Sequence, residues 1–191
     1  KNISKKTKVI FPSTHLVYED CKKNKKIFKE NSKALPKLAY SRGKLECEMI
    51  LKKNNINYAI LRLGSVYGFA EKKRMFNLPN LFVLRSKNNQ NLSLHSGGVQ
   101  IKSIVSVKDV ARAMLFLSKN KFKGELYHFV SEHISVKQIA NFCLKFNKNI
   151  KLINTRDKIP YLGYIMDCSK ILDTGFVFKY FYEDFVRKYL T

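Results

Sequence analysis

The sequence predicts an α/β fold built on a parallel β-sheet, and three observations carry that prediction. Residues 8–11 and residues 58–63 are short apolar runs, as expected of buried strands. Between them, residues 37–54 have helical apolar spacing, with Leu45 and Met49 four residues apart. A strand, a helix and a second strand in this order are typical of a right-handed crossover in a parallel sheet.

Length and composition indicate a globular protein. The 191 residues are enough for one domain, or one and a fraction, and 45% of them are hydrophobic. No apolar stretch reaches the ~18 residues needed to cross a bilayer, and no apolar segment of a secretory signal follows the first lysines. The four cysteines form no Cys-x-x-Cys pair, and the four histidines show no metal-ligand spacing with them. We therefore expect a reduced, cytoplasmic protein without a metal site or a membrane partner.

The formal net charge of +23 suggests a polyanionic partner, such as nucleic acid or a substrate phosphate. However, Lys outnumbers Arg 30 to 7, and the lysines are spread along the chain with clusters at 22–29 and 119–123. Surfaces that read phosphates or bases usually recruit Arg for its bidentate geometry. We favour a compositional bias over dedicated nucleic-acid binding.

The first strand brings a hydroxyl group to the edge of the sheet. Pro12, Ser13 and Thr14 end the run 8–11, so Thr14 lies at the carboxyl end of the strand, where open α/β sheets bind ligands. Residues 19–37 are charged and irregular, which predicts a surface loop.

The rest of the chain predicts shorter elements. Met75 to residue 87 resembles an interrupted helix, with Pro79 tolerated near its first turn. The predicted strands are 92–95, 101–107, 126–130 and 152–153. The predicted helices are 109–118, 136–145 with Ser135 as N-cap, and 178–189. Asp109 is interpreted as an N-terminal helix residue rather than a ligand.

Tyr40 and Lys44 are the first candidates for chemistry. Their spacing of four places a phenol and an ammonium on one face of a helix, where the cation favours the phenolate. Such a tyrosine can exchange a proton with a substrate hydroxyl, and Thr14 could bond the same oxygen. The spacing alone is weak, because Tyr18 and Lys22 share it and most such pairs are solvated. Tyr40 differs in opening a long helical pattern.

Five segments, taken in order, carry a resemblance to a known family. They are Ser13 to Tyr18, Tyr40 to Glu48, Leu61 to Gly68, Gly98 to Ala111, and Asp167 to Phe176. They are similar to the Ser-Thr-x-x-Val-Tyr strand end, the Tyr-x-x-x-Lys helix, the Leu-Arg strand, the Gly-x-Gln block and the closing Asp-x-Ser-Lys of extended short-chain dehydrogenases/reductases. The resemblance covers roughly residues 8–178 and is closest to nucleotide-sugar epimerases, dehydratases and reductases.

The resemblance implies the C-terminal part of a Rossmann-like parallel sheet plus a small α/β substrate-binding subdomain. Residues 1–75 would form the second half of the Rossmann-like domain. Residues 76–191 would form mainly the substrate-binding subdomain, with returning Rossmann elements around 100–130. Family members begin with a glycine-rich turn that holds the dinucleotide, and no such turn precedes Thr14. We therefore interpret the chain as a fragment and expect it to be inactive alone.

By the same resemblance, the cofactor is NAD or NADP and the substrate is a nucleotide-activated sugar. Tyr40 would be the general acid/base, Lys44 would bind the nicotinamide ribose, and Thr14 would orient the reacting oxygen. The implied cofactor-binding residues are Tyr40, Lys44, Gly64, Ser65 and Val66. The implied substrate-binding residues are Thr14, Ser65, Asn77, Lys102 and Arg156. A homodimer through the helix of Tyr40 follows by analogy.

Several positions depart from the family pattern. Lys102 stands where an arginine is usual, so it keeps the charge but loses the bidentate geometry. Ser65 replaces a common asparagine. Where the dehydratases carry Asp-Glu, this chain has His15 and Leu16. Because Leu16 cannot move a proton, epimerisation or ketoreduction is favoured over dehydration.

The alternative is a non-catalytic protein on the same scaffold that binds RNA or another polyanion through its basic surface. That reading predicts tight RNA binding whose affinity falls steeply as salt rises, because each neutralised phosphate releases a counterion. On the interpretation favoured here, single-stranded RNA should bind weakly at physiological salt in a filter-binding titration. Tight binding there with a steep salt slope would contradict it.

Overall fold

The structure is a computed structural model that describes residues 7–19, 27–54, 56–69, 77–157 and 162–191. The sequence interpretations that involve Cys21, Lys22 and Met75 lie outside these residues. The described strands are β1 (Lys8–Thr14), β2 (Ile27–Phe28), β3 (Asn57–Leu63), β4 (Ser65–Tyr67), β5 (Leu92–His95), β6 (Ile101–Ser106), β7 (Glu125–Phe129), β8 (Glu132–Ser135), β9 (Leu152–Thr155) and β10 (Ile165–Met166). The helices are α1 (Ala39–Lys53), α2 (Leu78–Lys87), α3 (Val107–Lys119), α4 (Val136–Phe146), α5 (Ser169–Leu172) and α6 (Tyr182–Leu190).

The predicted parallel sheet with flanking helices is confirmed. Its described strands lie in the order β1-β3-β7, all parallel, and α1 connects the first two. Strand β1 continues through Pro12 to Thr14, three residues beyond the predicted run. Among the described strands β1 pairs with β3 on one side, and a strand at the edge of a sheet tolerates a residue without an N–H. Thr14 pairs with Leu63, so β1 and β3 end at the same edge of the sheet.

Beyond β3 the chain forms two smaller sheets, β4-β6-β8 and β5-β9, which together are called the second layer. Strand β4 pairs with β6 in parallel, β8 is antiparallel to β6, and β5 pairs with β9 in parallel. The sequence pattern missed β2, β4, β8, β10 and α5. Each of these elements has four residues or fewer, which is too short to show a period.

The last helix begins at Tyr182, later than the pattern of residues 178–189 predicts. The carboxylate of buried Asp109 accepts hydrogen bonds from the backbone N–H groups of Lys179 and Tyr180 at 3.1 and 3.0 Å. These donors hold the chain extended until Tyr182, whose N–H then donates to Glu132 at 2.8 Å. Asp109 is thus a first-turn residue of α3 with a structural partner.

Three apolar clusters form the core of the described residues. One lies among α2, α4, α6 and β5 and includes Phe82, Ile139 and Val186. A second includes Leu61, Ala113 and Phe129, and a third includes residues of β2 and β10. Ser135 caps α4 as predicted, in a reciprocal pair of hydrogen bonds with Gln138. Among the described helices, none is long and apolar enough to cross a membrane.

A buried polar network ties α1 to the sheet. The Arg62 guanidinium on β3 donates to both carboxylate oxygens of Glu48 on α1, at 3.0 and 2.6 Å. Ser13 on β1 donates to the same carboxylate at 2.5 Å. Arg62 also donates to the Tyr18 hydroxyl, and His128 Nε2 lies 2.8 Å from that oxygen. All five residues are buried. The charges of Arg62 and Glu48 therefore depend on each other and on these hydrogen bonds to offset the loss of water.

We expect Glu48→Ala to lower the free energy of unfolding by about 3 kcal/mol or more, because it leaves Arg62 buried without its counter-charge. Glu46 is exposed on the same helix, so Glu46→Ala is the matched control and should cost less than about 0.5 kcal/mol. Urea denaturation of both variants measures the difference. Equal losses at the two positions would contradict a structural role for the ion pair.

Candidate active site

A cleft of about 530 Å³ opens at the carboxyl ends of β1 and β3. Of the residues implied by the motifs, the following line it: Thr14, Tyr40, Lys44, Gly64, Ser65, Val66, Asn77 and Lys102. Arg156 is exposed, follows the end of β9 and is not among the described residues that line the cleft. The structure thus brings together residues from two layers of sheet and two helices.

Thr14 lies at the last position of β1, where the strand turns into one turn of 3₁₀ helix. Its Oγ1 accepts a hydrogen bond from Leu16 N at 3.2 Å and so caps that turn. The contact uses a lone pair of the oxygen and leaves the hydroxyl hydrogen to donate. The cap and a substrate contact are therefore compatible.

The start of α1 is fixed by Glu19, which directly follows the 3₁₀ turn after β1. Its Oε2 accepts from the backbone N–H groups of Lys37 and Leu38 at 3.1 and 3.0 Å, and from Ser41 Oγ at 2.7 Å. Leu38, the N-cap, makes no side-chain cap of its own. The carboxylate also suits the positive end of the helix dipole.

Tyr40 and Lys44 face the cleft from the first turns of α1. The Tyr40 side chain is 57% exposed, so its hydroxyl is accessible to a ligand. The Lys44 ammonium donates to the Pro12 carbonyl at 2.8 Å and lies 6.0 Å from the centre of the Tyr40 ring. Lys44 is therefore held between the tyrosine and the end of β1.

Gly64 joins β3 to β4 at the floor of the cleft. A Cβ atom there would lie 2.7 Å from the Ser103 carbonyl oxygen, so only glycine allows this close approach. Its N–H donates to the Phe129 carbonyl at 3.1 Å, which keeps the segment attached to β7. Ser65 and Val66 follow directly and line the cleft with their own side chains.

Asn77 and Lys102 enter the cleft from the second layer. The Asn77 amide donates to the Val66 carbonyl and thereby anchors the start of α2 beside β4. Lys102 lies on β6 and lines both this cleft and a smaller neighbouring cavity. It supplies a second cation to the cleft, from a different element than Lys44.

His15 and Tyr164 also belong to this region, although the sequence did not assign them a function. His15 Nδ1 lies 2.8 Å from the Tyr164 hydroxyl, and its Nε2 lies 3.5 Å from Ser65 Oγ. The position of His15 directly after Thr14 was the available signal. The sequence contained no signal for the role of Tyr164, because 149 residues separate it from His15.

Within the described ranges, no group of three or more His, Cys, Asp and Glu side chains is arranged to hold a metal ion. Of the cysteines that the structure describes, Cys143 is buried and burial raises its thiol pKa to about 11. A thiol with that pKa is not a nucleophile near neutral pH.

Residues 3–157 match the sequence pattern of the RmlD substrate binding domain. No curated protein matches the sequence.

Solved structures similar to the chain carry related descriptions. A UDP-glucose 4-epimerase from Thermotoga maritima, solved with UDP-glucose, is 21% identical with a TM-score of 0.79, over 96% of this chain and 62% of its own. A UDP-N-acetylglucosamine 4-epimerase from Bacillus cereus is 23% identical with a TM-score of 0.78, over 95% and 62%. A dTDP-glucose 4,6-dehydratase from Bacillus anthracis in complex with NAD is 19% identical with a TM-score of 0.77, over 96% and 60%.

These matches confirm the family resemblance and the fold predicted from the motifs. At identities of 19–23%, the structural similarity describes the fold alone. The chain spans about three fifths of the length of these structures.

His15, which lines the cleft, should lower the free energy of unfolding of the protein in mild acid. Burial lowers the pKa of His15 to about 4; the charges of Lys102 and His133 act in the same direction, while Glu19 opposes them. The folded state therefore keeps the ring neutral while the unfolded state binds a proton, so this stability is present above about pH 6.5 and is lost toward pH 4. We expect His15 to account for about 2–3 kcal/mol of the loss between pH 7 and pH 4.5.

His15→Asn should reduce that difference by about 2 kcal/mol in urea denaturation at the two pH values. Burial also lowers the pKa of His128 and His133, so part of the pH dependence should remain in the variant. His95 is exposed, and His95→Asn is the control. The same pH dependence in His15→Asn as in the parent would show that His15 titrates normally in the folded state.

Proposed function

The chain belongs to the RmlD substrate binding domain family, and on that basis we propose that it is the catalytic and substrate-binding part of an NAD(P)-dependent enzyme that epimerises or reduces a nucleotide-activated sugar. The observation that carries the proposal is the convergence of Thr14, Tyr40 and Lys44 on one cleft. A hydroxyl, a phenol and an ammonium are the groups needed to bind and deprotonate an alcohol.

The chemistry of the site is a proton transfer at a sugar hydroxyl. Thr14 donates its hydroxyl hydrogen to the substrate oxygen and fixes its position. The Tyr40 phenolate removes the proton from the same oxygen as the alcohol becomes a carbonyl, and the Tyr40 phenol returns it in the reverse step. The Pro12 carbonyl holds the Lys44 ammonium beside the Tyr40 ring, 6.0 Å from its centre.

The residues of the cleft fit the nicotinamide end of a dinucleotide. NAD(P), when bound, supplies the acceptor and donor of the hydride. Lys44 and Tyr40 from α1 and the Gly64–Val66 segment line the same cleft, and the backbone packs closely at Gly64. The cleft volume of about 530 Å³ is within the usual size range of small-molecule sites. The sequence shown holds no glycine-rich turn for the pyrophosphate.

The cleft residues that come from the second layer suit the diphosphate of a nucleotide-activated sugar. Lys102 is a cation that can bind a diphosphate oxygen, although singly and without the bidentate geometry of arginine. Asn77 holds the backbone of Val66 and so shapes the wall between the two ends of the cleft. Leu16 beside Thr14 offers no acid or base, which supports epimerisation or reduction over water elimination.

We expect Tyr40→Phe to reduce kcat by at least ~10²-fold, because it removes the group that moves the proton and leaves the ring in place. The assay is NAD(P)-dependent turnover of a nucleotide sugar by the form of the protein that carries the glycine-rich half. Tyr180 lies outside the cleft and is partly exposed, so Tyr180→Phe is the control and should retain activity. A Tyr40→Phe variant with parental kcat would exclude the proposed mechanism.

A further inference from the structure

His15 lies at the junction of two cavities. A smaller cavity of about 140 Å³ adjoins the main cleft. Four residues line both spaces, namely His15, Leu16, Ser65 and Lys102, and the smaller cavity adds Ser103 and Tyr164 among others. His15 is therefore placed to contact a ligand in either cavity.

The hydrogen bonds around Tyr164 determine the tautomer of this imidazole. The Tyr164 hydroxyl lies 2.7 Å from the His15 carbonyl oxygen, which can only accept a hydrogen bond. A phenol has a single hydrogen, so donation to this carbonyl leaves the Tyr164 oxygen as an acceptor. His15 Nδ1, 2.8 Å from that oxygen, must then carry the hydrogen and donate it.

The other ring nitrogen is consequently a hydrogen-bond acceptor. With Nδ1 protonated and the ring neutral, Nε2 has a lone pair in the plane of the ring. Among the described residues, its polar neighbour is Ser65 Oγ at 3.5 Å, which is long for a hydrogen bond from a hydroxyl. Both His15 and Ser65 line the cleft, so a ligand hydroxyl can occupy this position.

We propose that Nε2 of His15 accepts a hydrogen bond from a hydroxyl group of the bound sugar, and that Tyr164 is the positioning residue that fixes the required tautomer. The sugar assignment rests on the proposed function, whereas the tautomer does not. A lone pair at this point attracts a hydroxyl and repels the oxygens of a carboxylate or phosphate. His15 thereby selects a neutral hydroxylated sugar, and the phosphates are left to cations such as Lys102.

The tautomer can be measured without any ligand. Long-range ¹H–¹⁵N correlation spectra of the ¹⁵N-labelled chain at pH 7 should show a protonated Nδ1 and a bare Nε2 for His15. His15→Asn should remove these signals and so assign them. Tyr164→Phe removes the acceptor of the Nδ1 proton and should populate the second tautomer. A protonated Nε2 in the parent chain would overturn the inference.

The ligand contact is tested with UDP-glucose and dTDP-glucose as probes. Asn at position 15 can reproduce the Nδ1–H donor to Tyr164 but lacks an acceptor at the position of Nε2, whereas Gln can place an oxygen near that position. We expect His15→Asn to weaken binding of the recognised sugar nucleotide about fivefold in calorimetry, and His15→Gln to recover most of the loss. His95→Asn, at an exposed histidine outside the cleft, should bind as the parent does.

The possible results separate this inference from the proposed function. If a probe binds and the His15 Nε2 resonance shifts on binding, both stand. If a probe binds with equal affinity to the parent and to His15→Asn, and the Nε2 resonance does not move, the contact is excluded while the proposed function stands. If neither probe binds at millimolar concentration, the proposed function fails and the sugar contact fails with it.

Discussion

The buried ion pair between Arg62 and Glu48 is the interaction on which the geometry of the cleft depends. It connects β3 to α1, and Ser13 adds the end of β1 to the same carboxylate. Thr14 follows Ser13 directly, and Tyr40 and Lys44 lie about two turns and one turn before Glu48 on the helix. The relative positions of the three proposed catalytic groups are therefore fixed by one network of charge-assisted hydrogen bonds beneath them.

Acidic residues are scarce in this chain, 14 against 37 basic ones, and several of the described acids are used inside the fold. Glu19 caps α1, Asp109 holds the chain before α6, and Glu132 caps α6. Each carboxylate accepts a hydrogen bond from at least one backbone N–H group of a segment distant in sequence, so it ties two separate segments together. These carboxylates thus connect segments that are distant in sequence. The net positive charge comes mainly from the lysines, which outnumber the acids.

The parts of the fold that could be predicted are those with a clear local period. The pattern of residues 37–54 predicted α1 to within two residues at each end, and Ser135 predicted the start of α4, because amphipathic spacing and capping act over one or two turns. The start of α6 could not be predicted, since it depends on Asp109, some seventy residues earlier. The contact between His15 and Tyr164 was out of reach for the same reason.

The sequence by itself determined the order of the motifs, the residue types of the site and the family, because these are properties of short segments read in order. The tertiary structure decided which of those residues share a cleft: it placed Lys102 there and left Arg156 outside, although both were implied by the same resemblance. It also decided the state of His15, which depends on one phenol hydrogen from the far end of the chain. Spacing along a helix or strand is local, whereas burial and hydrogen-bond donation are set by segments that meet only when the chain folds.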